Sequence, residues 1–260
     1  MEHVLMYIWV TALGLSIGSF LNVLIYRLPR KMKIGLGRSI CPNCRMTIKA
    51  YDNIPVLSYL FLGGKCRRCR ADISARYPMV ELLNAAVYLY LYWQHGLSWQ
   101  FFVFCFLSSV LVAIIFIDVE FQLIPDRLTI PGMVVGLAVS MLPSGIGIVS
   151  SIIGLLIGGG VLYLIAMLGD WLFKKESMGG GDIKMTAMLG AFLGWEKIVL
   201  IFFAGAVIGL LVSIVAMYFS KKVRSTRMIP FGPFLALGAF LAITYGDTII
   251  SYYIDNFFHI

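Results

Sequence analysis

The stretch FFVFCFLSSVLVAIIFID, residues 101–118, has no charged residue until its final aspartate. An uncharged apolar run of this length predicts a helix that crosses most of a lipid bilayer. A carboxylate at the end of such a helix is expensive to place near hydrocarbon, so it is a candidate functional residue. The stretch therefore predicts a membrane protein in which Asp118 ends one of the membrane helices.

The composition of the whole chain agrees with this class of protein. Of the 260 residues, 60% are hydrophobic and 13% are charged, and the mean hydropathy is +0.90. A soluble domain has about a quarter charged residues. The net charge of +8 is unevenly placed along the chain, so no nucleic-acid partner is expected.

The apolar runs predict an all-α polytopic membrane protein with about eight transmembrane helices. The predicted spans are residues 4–28, 78–93, 99–117, 128–142, 148–168, 183–195, 198–219 and 231–250. The fourth and sixth are short for a hydrocarbon core of about 30 Å, and they need tilt, local thinning or burial. No Lys or Arg precedes Arg27, so we expect the first span to remain as an anchor rather than a cleavable signal peptide.

The basic residues orient the predicted bundle. All of the 21 Lys and Arg residues except Lys197 fall on one side of the alternating spans. The positive-inside rule assigns that side to the cytoplasm and both termini to the outside. Asp118 and Asp182 then lie at the cytoplasmic ends of their spans, which puts both carboxylates at the same membrane surface.

Two CxxC pairs, Cys41 with Cys44 and Cys66 with Cys69, lie in a polar and basic segment between the first two spans. Four thiolates can complete the closed tetrahedral shell of a structural zinc site. A segment of this size has too little apolar content for its own core, so metal binding could supply folding free energy. The alternatives are redox dithiols or disulfides, although a cytoplasmic location disfavours stable disulfides.

These segments define the predicted domains. Residues 1–28 form the first transmembrane helix, residues 29–77 form a small cytoplasmic zinc-binding domain with four cysteine ligands, and residues 78–260 form the transmembrane bundle. The glycine-rich tract at 154–160 is interpreted as a surface for close helix packing.

Asp182 directly follows three glycines at 179–181. Two nearby carboxyl groups, one ionised and one protonated, can activate a water molecule and donate a proton, and they should titrate as a unit. Asp182 could instead be the N-cap of a helix that starts at Ile183, and the two roles are compatible. Asp126 is an alternative to Asp118 as the catalytic partner of Asp182. The other possible roles of Asp126 are an N-cap or an ion-pair partner of Arg127.

Glu81, near the start of the second span, also has two possible roles. It could bind a polar group of a substrate, or it could be a carboxylate that stabilises the start of a helix.

Ordered motifs cover nearly the whole chain. They are GSFLNV at 18–23, YRLP at 26–29, YDNIPVLSY at 51–59 between the CxxC pairs, RYP at 76–78 with Glu81, Asp118 with IPD at 124–126, MGGGDIK at 178–184 and IPFGP at 229–233. With these motifs in this order, the chain resembles the type IV prepilin leader peptidases, which are membrane aspartyl proteases of the GxGD class. It shows no departure from the bifunctional branch, whose members retain all four cysteines.

The resemblance implies removal of a basic leader from prepilins and pseudopilins at the cytoplasmic membrane face. It also implies N-methylation of the new N-terminal residue, usually phenylalanine, with S-adenosylmethionine as methyl donor. The resemblance implies that the catalytic pair is Asp118 and Asp182 and that the four cysteines of the CxxC pairs hold a zinc ion. It further implies a location in the bacterial inner membrane, with lipid around the bundle. No residues that bind S-adenosylmethionine are identified.

Two other functions remain open from the residues alone. The same carboxylates could serve as relay sites in a proton-coupled transporter. Alternatively, the chain could be a noncatalytic assembly scaffold whose zinc domain recruits partners.

Overall fold

The computed structural model describes residues 2–35, 39–143, 145–174, 178–219 and 229–257. In these ranges helices form nearly all of the regular structure. The extended backbone pairs found there are two isolated bridges, Ile40 with Thr47 and Lys65 with Asp72, both in the cysteine segment. The predicted all-α fold is therefore confirmed.

The helices follow the order of the predicted spans. They are α1 (Glu2–Arg27), α2 (Leu57–Phe61), α3 (Arg76–His95), α4 (Trp99–Phe121), α5 (Asp126–Val139), α6 (Ile148–Phe173), α7 (Gly180–Phe219) and α8 (Gly232–Phe257), with a 3-10 turn at Ala50–Asn53. Every predicted span overlaps one of the long helices, and α7 covers two of them.

Among the described residues, five helices are long and apolar enough to cross a membrane, so the protein is a multi-pass membrane protein. These are His3–Arg27, Trp99–Phe121, Ile148–Phe173, Gly180–Tyr218 and Gly232–Asn256. Helices α3 and α5 are not among them. Helix α5 has 14 residues and is only about 21 Å long, against a hydrocarbon core of about 30 Å. The count of eight spans stays a prediction.

Helix α7 is interrupted at Gly194. Its 40 residues would extend about 60 Å if straight, which is twice the thickness of the hydrocarbon core. Gly194 has φ 82° and ψ 173°, a conformation that is essentially restricted to glycine. The break lies just before residues 196 and 197, where the sequence predicted a separation between two spans.

Residues 1–113 and 114–260 form two compact units. In the first unit α1 packs closely on α3. A Cβ added at Gly18 of α1 would lie only 2.7 Å from the Cα of Glu81 in α3. The Nδ2 of Asn84 donates a hydrogen bond of 2.8 Å to the carbonyl of Gly14, which joins the two helices by a buried polar contact. The predicted division at residues 28/29 and 77/78 rests on polarity, and it remains a prediction.

In the second unit, α5, α6 and α8 all pack against α7. Gly154 and Gly158 of α6 lie directly against the backbone carbonyls of Gly190 and Thr186 in α7, where no side chain would fit. The hydroxyl of Ser151 donates a hydrogen bond to a carbonyl of α7 at 2.6 Å. This close approach confirms the packing role predicted for glycines of the 154–160 tract.

Candidate active site

Asp118 lies in the last turn of α4 and is only 5% exposed. Its Oδ2 accepts a hydrogen bond of 3.1 Å from the backbone N–H of Gly232, the first residue of α8. The N–H groups of a first helical turn have no partner within the helix, and they carry the positive end of the helix dipole. The start of α8 therefore fixes the Asp118 carboxyl group.

Asp182 is the third residue of α7, and its backbone N–H donates to the carbonyl of Gly179 at 3.1 Å. The helix begins at Gly180, two residues earlier than Asp182, so an N-cap role for Asp182 is wrong. Its Oδ1 is buried and has no hydrogen-bond partner among the described residues. A buried acceptor without a partner costs about 1–3 kcal/mol, and this oxygen can accept a hydrogen bond from water or substrate.

The helix ends that carry Asp118 and Asp182 converge, since Asp118 is bound by the start of α8 and the starts of α7 and α8 both lie against Ile124. Ile124, in the connection from α4 to α5, lies beside both of their supporting glycines. A Cβ added at Gly181 would lie 2.8 Å from the Cβ of Ile124, and one added at Gly232 would lie 3.1 Å from its Cδ1. The end of α4 and the starts of α7 and α8 thus meet around this side chain.

Asp126, the alternative catalytic candidate, has a different environment from that of Asp118. Its two oxygens accept hydrogen bonds of 2.7 and 2.8 Å from the Nζ of Lys184. The Asp126 side chain is 54% exposed, whereas Asp118 is buried. Asp126 is the first residue of α5 and follows the N-cap Pro125. The two alternatives predicted for it, an N-cap and a partner of Arg127, are therefore wrong.

Sequence reasoning assigned no role to Gly232, although it belongs to the IPFGP motif. Its N–H holds Asp118, and a Cβ at this position would lie 2.6 Å from the Oδ2 of that residue. A glycine followed by Pro233 at the start of an apolar helix was the available signal. That signal marks a helix start, but it does not identify the carboxylate that the helix start contacts.

The glycines before Asp182 give a matched pair of substitutions. Gly181→Ala should lower the leader cleavage implied by the resemblance about 100-fold, because its Cβ would displace Ile124 or the start of α7. Shifts of about 1 Å between reacting groups have effects of this size. Gly180→Ala should leave cleavage nearly unchanged, because a Cβ there meets no heavy atom within 4 Å. Initial rates on a prepilin substrate measure both effects. Equal activity of the two variants would contradict this geometry.

The four cysteines of the first unit form one cluster. Their Sγ atoms all lie within 4.8 Å of one another, and those of Cys41 and Cys69 are 3.9 Å apart. A tetrahedral zinc ion with Zn–S bonds of about 2.3 Å requires sulfur separations of about 3.8 Å. All four are free thiols rather than disulfides. The cluster could therefore bind a zinc ion.

Each CxxC pair belongs to the same kind of turn. The first cysteine of each pair donates its N–H to the carbonyl five residues later, that of Met46 or Ala71, at 2.9 Å in both turns. The residue after the second cysteine has a left-handed φ of 56° at Arg45 and 58° at Arg70. Two equivalent turns thus present their thiols to a common point.

The electrostatics of the cluster fit a cation. The backbone N–H of Ala71 and the side chain of Asn43 lower the pKa of Cys69 to about 6. The backbone N–H of Met46 favours the thiolate of Cys44, but burial and the adjacent sulfurs outweigh it and raise the pKa of Cys44 to about 11. Neighbouring thiolates oppose one another's ionisation, and a divalent metal would remove that opposition.

A bidentate ion pair joins the second turn to the segment between the CxxC pairs. The Nε of Arg67 lies 3.0 Å from both carboxylate oxygens of Asp52, and a second guanidinium nitrogen lies 2.7 Å from one of them. These hydrogen bonds hold the pKa of Asp52 below its usual value. The 3-10 turn is thereby attached to the residue that follows Cys66.

The chain is similar to known proteins over nearly its whole length. Residues 12–95 match the Bacterial Peptidase A24 N-terminal domain, and residues 105–214 match the Type IV leader peptidase family. No solved structure matches the chain.

Three relatives carry the name Prepilin leader peptidase/N-methyltransferase. The protein of Stutzerimonas stutzeri is 39% identical, with 94% of this chain and 92% of the relative covered. Those of Aeromonas hydrophila and Pseudomonas aeruginosa are both 36% identical, and they cover 94% and 98% of this chain and 92% and 96% of their own lengths. Since two domain models match and the relatives are similar over nearly their whole lengths, the chain belongs to the type IV leader peptidase family.

Proposed function

We propose that this protein is a membrane aspartyl endopeptidase that removes the basic leader of type IV prepilins and pseudopilins and N-methylates the new N-terminal residue. The observation that carries the proposal is the convergence of the end of α4, which holds Asp118, with the start of α7, which holds Asp182, around Ile124. Relatives of nearly full coverage have the same two activities in their names.

Asp118 and Asp182 are the proposed catalytic residues. One ionised carboxyl group accepts a proton from water as the water attacks the scissile carbonyl, and the other, protonated, donates to the carbonyl oxygen. The hydrogen bond from Gly232 orients Asp118. The unpartnered Oδ1 of Asp182 supplies an acceptor for water or substrate. Gly181 lets the start of α7 lie against Ile124, because a Cβ at this position would lie 2.8 Å from the Cβ of Ile124.

The sequence of the expected substrate fits cleavage at the cytoplasmic membrane interface. A basic leader followed by an apolar helix leaves the leader in the cytoplasm and the scissile bond at the membrane interface. We place the protein in the bacterial inner membrane, with both termini outside and the cysteine segment in the cytoplasm. The basic residues at 221–227, which contribute to this orientation, lie outside the described residues.

Zinc held by Cys41, Cys44, Cys66 and Cys69 would be structural, because four thiolates leave no open position for a catalytic water. It would supply folding free energy to the two turns. S-adenosylmethionine would supply the methyl group from its sulfonium centre. The family resemblance also implies that the cysteine segment takes part in substrate handling or methyl transfer, whereas the proposed peptidase residues lie in the second unit.

Co-expression with a prepilin, followed by mass spectrometry of the pilin, tests the proposal. We expect loss of the leader together with one methyl group on the new N-terminus. A prepilin that stays intact beside folded, membrane-inserted protein would contradict the proposal and favour the transporter or scaffold alternatives. Cleavage without methylation would restrict the function to the peptidase.

A further inference from the structure

Glu81 is a buried carboxylate that the peptidase chemistry does not use. It lies in α3 and is 7% exposed. Its Oε2 accepts the backbone N–H of Val56 at 2.8 Å, and its carboxyl group also forms a hydrogen bond with the side chain of Ser19. Both donors are neutral, and none of the ion pairs within the described ranges involves Glu81. A carboxylate has about four acceptor positions, so this one has unused capacity.

An acceptor without a hydrogen-bond partner among the described residues lies at the same helix crossing. Asn22 is 4% exposed, and its Nδ2 donates to the carbonyl of Tyr77, one turn before Glu81, at 3.0 Å. Its Oδ1 is buried and has no hydrogen-bond partner among the described residues. Gly18, one turn before Asn22, lies against the Cα of Glu81. Both acceptors therefore lie within about one turn of each other along the α1–α3 contact.

The backbone that covers Glu81 is held in an uncommon conformation. Val56 has φ 60° and ψ −50°, which a β-branched residue rarely adopts. Its N–H is the group bound to Glu81. Such backbone conformations cluster at functional sites, where surrounding contacts hold them. Glu81 thus fixes the segment between the two CxxC pairs while retaining acceptor capacity.

We propose that Glu81 and Asn22 bind the α-ammonium group of the cleaved pilin and that Glu81 accepts the proton removed from it before methylation. The inference rests on the proposed function. Transfer of one ammonium proton to the Glu81 carboxylate frees the nitrogen lone pair, which attacks the sulfonium methyl carbon. The carbon–sulfur bond breaks with its electrons on sulfur, and the products are a thioether, a secondary ammonium and protonated Glu81.

The chemistry of the two groups selects this ligand. A carboxylate and an amide carbonyl oxygen both accept hydrogen bonds, so they fit a cation with several N–H donors. An α-ammonium group is such a cation, and charge-assisted hydrogen bonds to it are the strong class. The methyl donor has an α-ammonium group in its methionine portion. The pilin amine is favoured because it must lose a proton to become nucleophilic, and a carboxylate can accept that proton.

The experiment uses full-length protein in lipid nanodiscs and a peptide that starts at the mature phenylalanine, so that no cleavage is needed. Binding of the free-amine peptide is compared with that of its N-acetylated form. Wild type should prefer the free amine about tenfold or more. Glu81→Gln keeps an acceptor for the Val56 N–H but should lose this preference, and methyl transfer to the peptide should fall in parallel. Glu196→Gln, which changes an exposed carboxylate in the second unit, is the matched control.

An unchanged preference for the free amine in Glu81→Gln would overturn the inference. Weaker binding of S-adenosylhomocysteine with an intact peptide preference would also overturn it, because the ammonium would then belong to the methyl donor. If Glu81→Gln does not fold, Glu81→Asp is tested instead. This variant keeps the negative charge, so the folded protein should still prefer the free-amine peptide. A folded Glu81→Asp protein without that preference would count against the site. Wild type that neither cleaves prepilin nor methylates the peptide would instead refute the proposed function.

Discussion

Asp182→Asn should reduce leader cleavage by about 100-fold to 10,000-fold, the range attributed to general acid–base catalysis. Asparagine has nearly the shape of aspartate, but it cannot accept or donate the catalytic proton. Asp118→Asn should have a similar effect, because in the proposed mechanism the two carboxyl groups act on one water molecule. The gel shift of a co-reconstituted prepilin measures the loss of leader cleavage. The membrane insertion and the thermal unfolding of both variants should remain those of wild type.

Asp126→Asn is the control for these variants. Asp126 is exposed and paired with Lys184, and exposed pairs contribute only about 0–1 kcal/mol. Its substitution should therefore leave cleavage within about twofold of wild type. An inactive Asp126→Asn protein beside an active Asp118→Asn protein would show that the catalytic partner of Asp182 has been misassigned.

Removal of the proposed zinc ion should unfold the two CxxC turns. Structural zinc contributes about 10–16 kcal/mol in small zinc-finger peptides, and residues 39–73 contain little buried apolar surface to replace it. Hydrogen exchange of this range should rise strongly after chelation, whereas exchange within α7 should change little. Methyl transfer should fall more than aspartyl cleavage, because the proposed peptidase residues lie in the second unit.

Two cysteine variants separate metal loss from the loss of any thiol. Cys41→Ser should lower the zinc content and reproduce the exchange of the chelated protein. Cys105→Ala, which removes a buried thiol of α4 outside the cluster, should retain zinc and normal exchange. Elemental analysis provides the metal content, and metal-free wild-type protein purified without chelator would contradict the zinc assignment.

Much of the architecture was predictable because it depends on local composition. The run at 101–117 predicted α4, and the bias of Lys and Arg predicts that Asp118 and Asp182 lie at one membrane surface. The CxxC spacings predicted a cluster because two thiols three residues apart can share one turn. Helix starts were less predictable: α7 begins at Gly180 rather than beyond Asp182, so Asp182 is not an N-cap.

The partners of individual side chains were not predictable in the same way. Asp118 is bound by the N–H of Gly232, which lies 114 residues later, and Asp126 is bound by Lys184 rather than by its neighbour Arg127. The role of Glu81 also stayed open between a helix-start charge and a ligand-binding group. Each of these depends on which helices pack together and at what separation.

The sequence by itself determined the membrane class, the approximate helices, the cysteine cluster and the two candidate carboxylates, since apolar runs, charge bias and motif spacing are local properties. Only the tertiary structure decided that Ile124 lies between Gly181 and Gly232, that α8 holds Asp118, and that Asn22 and Glu81 share a crossing. The physical reason is that hydrogen bonds and close backbone contacts between distant residues depend on the packing of whole helices, which side-chain periodicity does not specify.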